Sequence, residues 1–449
     1  MKTIKIIIIS LLVGLNLTSC DFLEKDPTYT TPENYFKNEA DAASWLTGTY
    51  AILGQSSFYG NEFLYLVGGD DLGHYGGANR GPNKANTSDP TVAALWYTLY
   101  SGINRANIFL ENIDAVPDIN DDTRKQYKAE ARFLRAFYYF TLVECWGDVP
   151  FKTTSTEDAY NLSIPRTNKQ TIYDFIIKEM YGSAEDLKSA QELNYLPGRV
   201  SKSAAWGMLA RVYMFRAGEP KRDKEVGLAN STTSAEITEY FKKASYYAQL
   251  VKNEGHSLTA KYWDFFIDIC SDKYNTALNK DGAKANESIW EVEFAGNRST
   301  DVRAEGRIQG KDLSSKASIT GKGDPGYAYA FIWNTPKLLE LYEANGDIDR
   351  CNWNIAPFTY TQSAGEGTPV DGREFVKGKR DEVEQQYWDP SAMAKQIQVL
   401  LTVIANRRMM LIRTVTELLP NIVENMKQTR RARTILPSTF LFSATLTFC

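Results

Sequence analysis

Apolar residues recur every three to four positions over a long succession of segments, and that period is what most constrains the fold of this chain. It runs from Glu39 to Leu53, where Ala42, Leu46, Thr49, Tyr50 and Leu53 fall near helical spacing. It continues across 92–114, 122–146, 168–190, 201–217 and 234–253. A stripe of this period is buried as one face of an α-helix. Turn chemistry separates the segments at Pro117-Asp118, Gly147-Asp148-Val149-Pro150, Pro197-Gly198 and Gly218-Glu219-Pro220. The chain therefore reads as mainly α, with its helices arranged in pairs.

One segment carries a sharper signal. Trp206-x-x-Leu209-Ala210-x-x-Tyr213 has the spacing of the first helix of a tetratricopeptide repeat. Trp206, Leu209 and Tyr213 are expected on its buried stripe, and the small Ala210 lets a partner helix approach. That partner is expected over 234–253, with Ala244 and Ala248 as small contact residues, after an insertion around 218–233. Phe133-x-x-Ala136-Phe137-x-x-Phe140 is a looser version of the same pattern. Such pairs build a scaffold that presents a surface, and they carry no catalytic signature. Generic helix packing with the same spacing is the competing reading.

Beyond residue 256 the helical period fades. Ser288-Ile289-Trp290-Glu291-Val292-Glu293-Phe294 alternates like a strand, between long polar loops at 271–287 and 296–327. The expected fold class is thus mainly α, with tetratricopeptide-like pairs packed against a loop-rich region containing short strands.

The N-terminus reads as an export signal. Lys2 and Lys5 precede an apolar run from Ile6 to Leu15, too short to span a bilayer, and Leu17-Thr18-Ser19-Cys20 closes it. Small residues ending on cysteine form a lipobox, so residues 1–19 are expected to be removed and Cys20 to carry lipid. An ordinary cleaved signal with an incidental cysteine is the alternative. Residues 20–35, polar and with two prolines, read as a tether to a body spanning 36–390.

Composition narrows the chemistry. The formal net charge is -4, and the body has no basic stripe, which argues against a nucleic-acid partner. Cys145, Cys270, Cys351 and Cys449 are widely scattered and form no CxxC pair; Cys145 and Cys270 read as buried thiols. His74 and His256 are the only histidines, with no HExxH, so a zinc site is not expected and no metal-ligating residue is assigned. Gly321-Lys322-Gly323-Asp324-Pro325-Gly326 matches GxGxxG, but Pro325 lies within it and a strand-like run from Tyr327 to Phe331 follows. A dinucleotide site needs a helix opening there, so the stretch reads as a flexible loop and no cofactor is expected.

The loop from Gly69 to Gly81 is the best binding candidate. Its glycines allow close backbone approach to a ligand. Tyr75 offers a ring face, while Asp70, Asn79 and Arg80 offer hydrogen bonds, the mixture a sugar site uses. A solvated loop that binds nothing is the alternative. Tyr329 and Trp333 are secondary platforms, with core packing as the competing role. Asp70-Asp71 lacks the separation that paired glycosidase carboxylates require.

Several stretches together resemble the SusD/RagB family of outer-membrane nutrient-binding lipoproteins. They are Trp96-Tyr97-Thr98-Leu99-Tyr100-Ser101-Gly102-Ile103-Asn104-Arg105-Ala106-Asn107, then Ala129 to Phe140 running into Trp146-Gly147-Asp148-Val149-Pro150. Gly198-Arg199-Val200-Ser201-Lys202-Ser203-Ala204-Ala205 follows, leading into the Trp206 helix. Asn286 to Trp290, Leu338 to Glu343 and Asp349-Arg350 complete the set, in family order behind the lipobox. The resemblance covers roughly residues 20–390.

It implies a lipidated surface protein that takes an oligosaccharide or similar nutrient and hands it to a SusC-like TonB-dependent outer-membrane transporter, without catalysis. No binding residue carries over by motif, because ligand contacts vary within the family. A secreted glycoside hydrolase and a non-catalytic helical-repeat adaptor remain the alternative functions. Residues 391–449 depart from the pattern: they contain no Gly, Asp, Tyr or Trp and are rich in Lys and Arg. A frameshifted or truncated reading frame after about Asp389 is expected, with a divergent basic end as the alternative.

Overall fold

The computed structural model describes residues 35–60, 62–63, 72–75, 88–156, 163–262, 264–266, 276–293, 332–347, 350–351 and 354. Residues 1–19, read from the sequence as a signal peptide, Cys20, the expected tether before Tyr35 and residues 391–449 lie outside the described residues.

Six long helices form the body: α1 (Glu39–Tyr50), α2 (Pro90–Asn112), α3 (Asp121–Trp146), α4 (Lys169–Asp186), α5 (Lys202–Glu225) and α6 (Ser234–Asn253). Each starts where the sequence offers a side chain to the free N–H groups of the first turn. Asn38, Asp89, Asn120, Asn168, Ser201 and Thr233 cap them in that order. Thr233 and Glu236 complete a reciprocal capping box on α6. None of the described helices is long and apolar enough to cross a membrane.

Each helix packs against the next in sequence, and α1 also reaches α3. This run of neighbour contacts is the helical-repeat arrangement that the spacing predicts, and the fold is mainly α. Helix α3 forms its centre: Phe133, Leu134, Ala136, Tyr138, Tyr139 and Phe140 are fully buried. Gly102 of α2 makes the crossing with α3 possible, because a Cβ there would lie 2.6 Å from the Tyr138 ring. The Tyr138 hydroxyl donates to the Thr49 carbonyl at 2.7 Å, which ties α1 to the same point.

Two short ribbons complete the described strands. β1 (Gly73–Tyr75) pairs antiparallel with β4 (Ile332–Asn334), and β2 (Val149–Pro150) pairs with β3 (Arg166–Thr167). A final helix, α7 (Pro336–Asn345), follows β4 with proline in its first turn and left-handed Gly346 at its end.

Three expectations change. Helix α5 does not stop at Gly218-Glu219-Pro220; it continues to Glu225 with Pro220 inside. The cost of an interior proline is offset by anchoring on α4, where Lys169 bridges Glu219 at 3.3 Å and Asp223 at 2.6 Å. The insertion before α6 shrinks accordingly to 226–233. The alternating stretch at 288–293 is not a strand. Ser288, Ile289, Trp290 and Glu291 are buried in succession, and Trp290 meets Phe133 and Phe137 edge-on at 5.2 and 5.1 Å. Packing onto α3 has replaced sheet pairing. Finally, Trp206 is only partly buried and Tyr213 turns to an open groove, whereas Leu209 is fully buried as expected. Cys145 is partly exposed as a residue, but its free thiol is buried as expected, and that burial pushes its pKa up; Cys270 lies outside the described residues.

Candidate functional site

The β1–β4 ribbon sets side by side the backbone segments that carry two of the sequence candidates, Tyr75 and Trp333. His74 pairs with Trp333 and Tyr75 with Ile332, so Tyr75 and Trp333 stand on adjacent rungs, positions that alternate between the two faces of a ribbon. The Thr335 N–H donates to the Leu72 carbonyl at 2.9 Å and continues the pairing past the last rung. Chain segments far apart in sequence are thereby held within strand spacing. The loop expected from Gly69 to Gly81 is, over Gly73–Tyr75, a strand. Asp70, Asn79, Arg80 and Tyr329 lie outside the described residues.

The described residues also contain a groove of about 570 Å³ between α4, α5 and α6. Asp174, Ile177, Lys178 and Tyr181 come from α4, Tyr213 and Arg216 from α5, and Glu236, Tyr240 and Tyr247 from α6. Tyr213 and Tyr247 stack at 5.8 Å with their planes 10° apart. Arg216, 8 % exposed, donates to Asp174 Oδ1 at 2.8 Å and to Gln170 Oε1 at 3.0 Å, and lies 4.8 Å from the Tyr240 ring centre. Burial raises the phenol pKa of Tyr213 and Tyr240 and pushes that of Tyr247 up to about 12, so all three stay neutral. Hydrogen bonds from Thr233 hold the Glu236 carboxylate below its ordinary range. Sequence reading missed this groove, because its rings come from three helices and only Tyr213 belongs to a recognised motif.

The buried acids elsewhere are structural. Glu130 accepts from the Tyr50 hydroxyl at 2.7 Å and pairs with Arg199 at 2.8 Å, joining α1, α3 and the turn before α5. Glu144 is raised by burial but meets Arg211 at 3.0 Å. Burial also raises Glu219, which is bridged to Lys169. Each of these perturbed or buried acids is explained by a partner within the packed body. His256 is likewise structural, with Nδ1 2.6 Å from the Asn286 carbonyl. Among the described residues no group of three or more His, Cys, Asp or Glu could hold a metal ion.

With this geometry in place, the relatives become informative. Residues 21–214 match the sequence profile SusD-like_3, described as starch-binding and associating with outer membrane. SusD-like protein P2 of Formosa agariphila is 34 % identical over 386 residues, covering 82 % of this chain and 67 % of that protein. The chain belongs to the SusD-like family. Starch-binding protein SusD of Bacteroides thetaiotaomicron aligns over 149 residues at 29 % identity, covering 33 % of this chain and 25 % of its own. Among solved structures, the crystal structure of a SusD homolog from Bacteroides thetaiotaomicron matches with a TM-score of 0.61 at 23 % identity. That match covers 83 % of this chain and 68 % of the other and establishes a shared fold. This SusD-like chain spans about two thirds of the length of protein P2.

Proposed function

We propose that this protein is a lipid-anchored, non-catalytic glycan-binding protein of the outer membrane. It captures an oligosaccharide and passes it to a SusC-like TonB-dependent transporter. Membership in the SusD-like family carries the reading, supported by a profile match described as starch-binding and associating with outer membrane. The match begins at residue 21, directly after Cys20, which agrees with cleavage and lipidation at that cysteine. The domain order follows: signal 1–19, tether 20–35 and binding body 36–390, with 391–449 as a basic extension or a broken reading frame. Asp70, Tyr75, Asn79, Arg80, Tyr329 and Trp333 are the proposed glycan contacts, and the β1–β4 pairing brings the segments that carry Tyr75 and Trp333 side by side.

Calorimetric titration with a panel of neutral oligosaccharides, followed by product analysis of the same mixtures, tests the reading. Binding without cleavage is expected; turnover would establish a hydrolase instead. Tyr75→Ala should weaken binding roughly 5–30-fold, equivalent to about 1–2 kcal/mol, and leave the melting temperature unchanged. A folded Tyr75→Ala variant with full affinity removes the ribbon from the site.

A further inference from the structure

We propose that the groove between α4, α5 and α6 is a second glycan contact, a tyrosine-lined cradle for a short neutral oligosaccharide. The proposal rests on the reading of the chain as a glycan-binding protein, but the groove uses none of the ribbon residues. Its volume falls within the range of small-molecule sites. Four tyrosines from three helices converge there: Tyr181, Tyr213, Tyr240 and Tyr247. The faces of such rings suit the C–H surface of a pyranose, and neutral phenols both donate to and accept from hydroxyls.

Charge selects the ligand class. Asp174 and Glu236 oppose Lys178 and Arg216, so the lining has no net charge to draw an ion. The Arg216 guanidinium is already committed to Asp174 and Gln170, and Glu236 to the Thr233 cap. Apart from the exposed Asp174 carboxylate and the Lys178 ammonium, whose charges cancel, a ligand meets ring surface and hydroxyl. Tyr181, 51 % exposed on α4, forms an accessible wall of the groove. Tyr213 stacks on the buried Tyr247 and is held by the helix packing itself, so binding requires little ordering of its ring.

The test uses the full chain, with short malto- and laminari-oligosaccharides as probes in titration calorimetry and hydrogen exchange. Bound sugar should slow exchange in peptides covering 174–181 and 236–247. Tyr181→Ala should weaken at least one binding phase roughly 5–10-fold, and Tyr240→Phe should weaken the same phase while retaining the ring. Tyr181 makes little core contact, so its variant should melt as the wild type does. Tyr75→Ala should leave the groove phase intact. Wild-type binding with unchanged isotherms in both groove variants overturns the groove proposal while the glycan-binding reading stands. Absence of binding to every probe by the wild type overturns both. An acidic sugar preferred over neutral ones also overturns it, since the lining would then be selecting charge.

Discussion

At the scale of single residues, the body depends on a few positions where side-chain size or charge is tightly constrained. Gly102 is one. A methyl group there would collide with the fully buried Tyr138 ring and lie 3.0 Å from Ile52 Cγ2, and neither neighbour is free to swing away. Gly102→Ala is expected to destabilise the protein by about 1–3 kcal/mol in urea unfolding, although alanine is the better helix former. A neutral or stabilising result would mean that α2 and α3 can separate slightly without cost. Arg135 is a second such position. It sits inside the aromatic motif of α3 yet pairs with Glu179, donates to Asn107 Oδ1 at 2.8 Å and lies 5.3 Å from the Phe175 ring centre. An apolar scaffold motif therefore contains a buried cation, which only the positions of its partners explain.

At the scale of elements, the helices were legible because their signals are local. Asn38, Asp89, Asn120, Asn168, Ser201 and Thr233 act within one turn, and the apolar period acts within one helix. The expected segment 234–253 coincides with α6, and 122–146 begins one residue inside α3. Pro220 and the 288–293 stretch were not legible, because anchoring to Lys169 and packing on Phe133 and Phe137 come from remote segments. The second case is testable. Trp290→Ala should cost about 3–5 kcal/mol by denaturant unfolding, the range for a large buried aromatic. A solvent-facing strand residue would cost far less. A change below about 1 kcal/mol would restore the strand reading.

At the scale of the whole molecule, stability carries a pH signature from His256. Burial lowers its pKa below the ordinary 6.5, opposed by the Asn286 carbonyl and by Glu254. The unfolded chain then takes up this proton first as pH falls, so stability from the neutral ring is full above about pH 6.5 and declines below it. Buried Glu144, Glu219 and Glu291 have raised pKa values and act in the opposite sense. His256→Asn, which keeps an amide donor for Asn286, isolates the histidine. Relative to this variant, the wild type should lose up to about 1.4 kcal/mol per pH unit below pH 6.5. Parallel stability curves would show that His256 titrates alike in both states.

The candidate site divides along the same line. Tyr75 and Trp333 stand out in local composition, and only the β1–β4 pairing sets their segments side by side, on alternating rungs; the groove tyrosines are assembled by no local pattern. The sequence by itself determined the mainly α class, the approximate helix spans, the α5–α6 pairing and the family, because apolar periods, turn residues and motifs are short-range and survive being read one segment at a time. Only the tertiary structure decided where α5 ends, what Trp290 covers, which charges are buried in pairs and which rings share a groove. Those outcomes depend on contacts between segments distant in the chain, whose energies no single segment contains.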